Sequence, residues 1–104
     1  MTETRFNHLP LCERPMPAAE IIKDMHMDDM SGAQLAEAIG VSASTISRML
    51  SGKSALTPEL AIKIAAHTGG SPVVWMRIET EYRLAIAQLE TDVSGIKPRE
   101  LIEA

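Results

Sequence analysis

Residues 31–50 read SGAQLAEAIGVSASTISRML, and one geometry accounts for nearly every position. Ser31 and Gln34 form the S-x-x-Q pattern, in which each side chain satisfies a backbone N–H at a helix start. Leu35, Ala36 and Ile39 then share one helical face. Gly40 supplies the positive φ that a tight helix exit usually needs, with Val41 packed beneath the turn. Ser42 caps a second helix, whose buried positions Ile46, Met49 and Leu50 follow the i, i+3, i+4 spacing. Ala36 falls where the second helix crosses closest, so a methyl fits and a larger side chain pushes the helices apart. Ala43, Ser44, Thr45, Ser47 and Arg48 are left facing outward.

Two short helices crossing steeply around a glycine turn form a helix-turn-helix, whose second helix fits the major groove of DNA. The same spacing also suits a plain helical hairpin with no nucleic-acid role, so the window alone leaves both open.

Size and composition bound the rest. A chain of 104 residues makes one domain with a core of four or five helices. Phe6, Trp75 and Tyr82 are the only aromatic residues, so aliphatic side chains, alanines and methionines must fill the interior. Met25, Met27, Met30 and Met49 read most simply as adaptable core fillers. No apolar run approaches the roughly 20 residues of a membrane span. The opening MTETRFNHLP lacks the charged-then-apolar build of a signal peptide. The single cysteine, Cys12, forms no internal disulfide and suits a reducing compartment. A cytoplasmic location is expected.

The net charge of −4 sits awkwardly with nucleic-acid binding, but its distribution does not. Between Ser31 and Gly70, Arg48, Lys53 and Lys63 outnumber Glu37 and Glu59, and the acidity lies elsewhere. Few phosphates can be neutralised per subunit, so nonspecific binding should be weak and sensitive to salt. Glu20, Asp24, Asp28 and Asp29 make an acidic face near the first helix, which either is simply solvated or meets a basic partner.

Along the chain, residues 1–15 show no periodicity and read as an extended or flexible N-terminal arm. Residues 16–90 form the helical domain, and 91–104, broken by Gly95 and Pro98, a weakly structured tail. Pro17 begins a first helix that runs to about Met27, with Ile21, Ile22 and Met25 inward. Thr57-Pro58 and Ser71-Pro72 are cap-plus-proline starts for the last two helices, and Gly69-Gly70 stops the first of these. Its apolar face is Leu60, Ala61, Ile64 and Ala65. The final helix, about Pro72 to Leu89, spaces Trp75, Ile78, Tyr82, Ala85 and Leu89 near a heptad. With no β-type alternation, the fold class is all-α: five helices, with the helix-turn-helix as helices 2 and 3.

A longer pattern narrows the reading. Gly52-Lys53-Ser54-Ala55-Leu56-Thr57-Pro58, Ala61 to Ala65, Gly70-Ser71-Pro72 with Trp75, and Tyr82 with Leu84 together resemble the HigA antitoxins, within the XRE and Cro/cI repressor class. The match spans about Pro17 to Leu89. The resemblance implies a five-helix repressor-like DNA-binding domain that binds inverted-repeat operator DNA as a homodimer. It also implies autorepression of a toxin–antitoxin operon and neutralisation of a HigB-like, RelE-type ribonuclease that cuts messenger RNA. At matching positions it implies DNA contacts from Ser42, Ser44, Thr45, Ser47 and Arg48, and a phosphate contact from Lys53.

Two positions depart from that pattern. Gly32 stands where many relatives carry a phosphate-gripping glutamine, and Ala43 where many carry a long polar residue. Ala43 can still meet a thymine methyl, and Arg48 a guanine or a phosphate. Both departures lower the expected affinity. Helix-turn-helix proteins that read two half-sites need a two-fold dimer, for which the final helix offers Tyr82, Ile86 and Leu89. A plain repressor without a toxin partner, and a protein-only module with a vestigial reading head, remain alternatives.

Nothing in the sequence suggests catalysis. His8, His26, His67 and Cys12 lack metal-ligand spacing, and no orienting third group accompanies Cys12 and His8. No metal, cofactor, small-molecule substrate or membrane is expected.

Overall fold

The computed structural model describes residues 6–10 and 13–100. Cys12 therefore lies outside the described residues, as do 1–5, Leu11 and 101–104 of the expected arm and tail. The described residues form five helices and no strand: α1 (Ala18–His26), α2 (Gly32–Ile39), α3 (Ala43–Leu50), α4 (Pro58–Thr68) and α5 (Pro72–Glu90).

Each start and stop has a local cause. Ser31 and Gln34 close a capping box, with Gln34 N–H donating to Ser31 Oγ (3.1 Å) and Ser31 N–H to Gln34 Oε1 (2.8 Å). Gly40 takes φ 76°, and the N–H groups of Gly40 and Val41 both close on the Ala36 carbonyl. Thr57 and Ser71 cap α4 and α5 through the N–H groups of Leu60 and Val74, each ahead of a first-turn proline.

The two glycines after α4 do different work. Gly69 adopts φ 87° and ends the helix. Gly70 makes room for Trp75, because a Cβ there would stand 2.9 Å from the indole nitrogen. Trp75 itself is buried, with the His26 ring edge-on to it at a centroid distance of 6.2 Å.

The core lies where all five helices meet. Ala18, Ala19 and Ile22 of α1, Leu35 and Ala36 of α2, Ile46 and Met49 of α3, four residues of α4 and Trp75 of α5 fill it. Leu56, from the loop after α3, completes the cluster. Met27, Met30, Ile39, Val41 and Leu50 pack against it half-buried. The expected apolar face of α4, Leu60, Ala61, Ile64 and Ala65, is buried throughout. Burial fades along α5, from Trp75 through half-buried Ile78, Tyr82, Ala85 and Ile86 to exposed Leu89.

Helix α1 ends at His26 with Met27 as its cap residue, at the expected boundary. Two other features depart from the sequence reading. Met25, expected inward, is exposed and lines an open cleft with Met30, Asp28, Asp29 and His67, while its neighbour His26 takes the place against Trp75. Residues 1–15, read above as an extended or flexible arm, contain a buried side chain, Phe6. Arg14 folds back there, its Nε donating to the Leu9 carbonyl (2.8 Å) and Nη2 to that of Asn7 (3.0 Å). In the tail, Ser94 N–H bonds Asp92 Oδ1 at 2.9 Å and holds that exposed carboxyl below its ordinary range.

Ala36 is 2 % exposed, tucked between α2 and the helices it packs on. Replacing Ala36 by Leu should destabilise the fold by about 1–3 kcal/mol through overpacking. A thermal melt equal to the parent's would contradict this placement of the helix crossing.

Candidate nucleic-acid interface

Helix α3 buries one face and offers the other. Ile46 and Met49 point into the core, while Ala43, Ser44, Ser47 and Arg48 are exposed on the opposite side. Ser42, the cap residue, accepts the Thr45 N–H at 3.1 Å. Its hydroxyl also bonds Thr45 Oγ1 (2.7 Å) and lies 3.2 Å from Ser44 Oγ. This fixes the first turn of the helix and engages three of its hydroxyls with one another. Thr45 is half-buried as well, so among the expected contact residues it is the one most turned toward the protein.

The far end of α3 is equally well defined. The Arg48 carbonyl gathers the N–H groups of Lys53 (2.9 Å) and Ser54 (3.1 Å) and the Ser51 hydroxyl (3.2 Å), while Gly52 turns at φ 85°. The Lys53 backbone is thereby set beside the helix end, and its side chain is exposed. Lys63, by contrast, pairs with Glu59 at 3.0 Å on α4. Among the described residues neither Arg48 nor Lys53 has an acidic partner, so both are free to meet an anion. Small hydroxyls, a helix N-terminus and two free cations on one exposed helix and the loop after it suit a phosphate backbone flanking a groove.

The structure thus brings Ser42, Ala43, Ser44, Ser47, Arg48 and Lys53 onto one exposed strip. Tyr82, Ile86 and Leu89 lie elsewhere, on α5, which packs on α4 and α1 while α3 packs on α2 and α1. Tyr82 and Ile86 are half-buried, and Leu89 is 55 % exposed.

Two arrangements escaped the sequence reading. His26 and His67, distant in sequence, line the same cleft with Asp28 and Asp29. No group of three His, Cys, Asp or Glu among the described residues is set to hold a metal ion. The second is Glu79, buried at 3 % exposure, whose carboxylate reaches both α1 and the loop after α3. Its signal was its place one turn from Trp75 on the inward side of α5, with Arg83 one turn further on.

Comparison with known proteins agrees with this geometry. The helix-turn-helix family model matches residues 28–75. An HTH-type transcriptional regulator of Escherichia coli K12, YddM, is 35% identical over 89 residues, covering 86% of this chain and 95% of its own. Antitoxin HigA-1 of Vibrio cholerae is 37% identical over 68 residues, 64% of each chain. The structure of the Pseudomonas aeruginosa antitoxin HigA with the higBA promoter superposes with a TM-score of 0.75 at 28% identity. That match covers 85% of this chain and 100% of the other.

The cap of α3 carries a local test. Ser42→Ala removes the acceptor for the Thr45 N–H and should cost about 1 kcal/mol of stability. Chemical denaturation would read this directly, and an unchanged midpoint would mean that the hydroxyl network around Ser42 contributes nothing to holding α3.

Proposed function

Because the chain belongs to the helix-turn-helix family, as a HigA-type member of the XRE class, we propose that it represses its own operon and acts as the antitoxin of a ribonuclease toxin. Occupancy is the whole mechanism: bound operator excludes polymerase, and bound toxin is kept from its target. The observation that carries the DNA-binding part is the exposed face of α3, held by the Ser42 cap, with Arg48 and Lys53 unpaired at its end.

In this reading Ser42 and Lys53 grip phosphate, while Ala43, Ser44, Ser47 and Arg48 face the major groove, with half-buried Thr45 at its margin. The hydroxyls are short, so base contacts through them need close docking or a bridging water. Two subunits bind an inverted repeat, with half-sites one helical turn apart. The C-terminal half of α5 supports such a dimer, since Tyr82, Ile86 and Leu89 lie where the helix outruns its own core. A basic toxin has a complementary surface in Asp24, Asp28 and Asp29, all exposed. A cytoplasmic site of action follows from these partners, and no described helix is long and apolar enough to cross a membrane. The second reading, repression without a toxin, keeps the same interface. It is favoured if the neighbouring gene product neither copurifies with this chain nor arrests growth when expressed alone.

Titrating the upstream intergenic DNA by fluorescence anisotropy tests the interface. Binding should fall steeply with salt, and Arg48→Ala should weaken it by about 1–3 kcal/mol with the fold intact. Unchanged affinity would remove Arg48 from the site, and no salt-sensitive binding by the parent would end the DNA-binding reading. Leu89→Asp should shift the sedimentation profile toward monomer and weaken operator binding with it. A variant that remains dimeric would move the interface off the end of α5.

A further inference from the structure

Glu79 is the one charged residue buried among the described residues. Its two oxygens serve different elements. Oε1 accepts the Ala18 N–H at 3.0 Å, and Oε2 accepts the Leu56 N–H at 2.9 Å together with Arg83 Nε at 3.0 Å. Ala18 is the first residue of α1, whose cap residue, Pro17, has no side-chain acceptor to offer. The carboxylate therefore caps α1 from the far end of the chain, where a helix N-terminus favours negative charge. Arg83, on the outer side of α5, neutralises it, which is what makes a buried carboxylate tolerable.

The second oxygen bears on the DNA face. The loop carrying Lys53 is fixed at its start by the Arg48 carbonyl, which accepts the N–H groups of Lys53 and Ser54. At its other end Leu56 is buried, and its N–H has Glu79 as acceptor. Nearby Thr57 is already committed to the Leu60 N–H. The loop is thus held between the recognition helix and α5, and Lys53, exposed, stands at the first of the two anchors, three residues before the second.

We infer that Glu79 is a positioning residue for DNA binding: by holding the Leu56 N–H it sets the loop from which Lys53 reaches phosphate. The inference rests on the DNA-binding reading above and adds to it a residue that touches no DNA. A carboxylate is required because two backbone donors approach from two different elements. The amide of a glutamine would turn an N–H₂ toward one of them.

A double-mutant cycle separates positioning from general stability. The full-length chain, Glu79→Gln, Lys53→Ala and the double variant are titrated against a duplex from the upstream intergenic region, at several salt concentrations and well below each melting temperature. Lys53→Ala should weaken binding about three- to tenfold and lower the salt slope by about one. Glu79→Gln should do much the same in the parent and add little once Lys53 is gone. Additive losses, or unchanged binding by folded Glu79→Gln, would overturn the inference. Failure of the parent to bind in a salt-sensitive way would instead overturn the DNA-binding reading. Glu79→Asp, charged but too short to hold both donors, runs beside it and should behave as Glu79→Gln does. Should neither variant fold, amide exchange in the parent decides: the Leu56 N–H should be protected as well as the core of α4, and exchange at an open-loop rate would sink the assignment.

Discussion

The chain reverses between α2 and α3 within a few residues, and that reversal is the constraint from which the rest follows. Ala36 lets the helices approach, Gly40 supplies the left-handed residue, and Val41 returns its N–H to the Ala36 carbonyl while packing half-buried against the core. A bulkier residue at 36 or a β-branched one at 40 would widen the angle and lift α3 from its seat. With the angle fixed, Ile46 and Met49 are committed to the interior, and Ser44, Ser47 and Arg48 have no choice but to face outward. The exposed strip is a consequence of packing as much as of its own residues.

Around that pair the remaining helices serve as a frame. Helix α4 presents a continuous apolar face, and α5 anchors it through Trp75, for which Gly70 leaves space. Glu79 then ties three parts of the chain with one buried carboxylate, at Ala18, Leu56 and Arg83. The arrangement links the support of the loop that carries Lys53 to the helix whose outer half carries Tyr82, Ile86 and Leu89. Arg83 also lies over the Tyr82 ring, 5.3 Å from its centroid, so the ion pair with Glu79 adjoins that outer half.

Electrostatics set the character of the interface. In a chain of net charge −4, the strip has two unpaired cations, Arg48 and Lys53, and hydroxyls that bond one another. A single subunit with so few phosphate contacts holds DNA weakly in any but dilute salt. Doubling the contacts through a two-fold partner is the economical remedy, and the apolar outer half of α5 is consistent with it. Under the proposed function, base reading by serine and alanine side chains would depend heavily on shape and close docking.

Local signals were legible from residue types alone. Ser31 with Gln34, Ser42, Thr57-Pro58 and Ser71-Pro72 each mark a helix start by satisfying donors within four residues, and Gly40 and Gly69 each mark an end by tolerating positive φ. Period alone likewise assigned the inward faces of α2, α3 and α4, although Ile39 and Leu50, expected to be buried, are half-buried at the core's margin. What the tertiary structure decided involves partners far apart in sequence. Periodicity put Met25 inward but could not show that His26, not Met25, would meet Trp75, and composition could not show that Phe6 is buried. Nor could spacing reveal that a glutamate on α5 caps α1 across 61 residues and holds Leu56 across 23, because a buried carboxylate is specified by donors that only folding brings to it. Helix, turn and exposed face were written locally; the brace that holds the loop against them exists only in three dimensions.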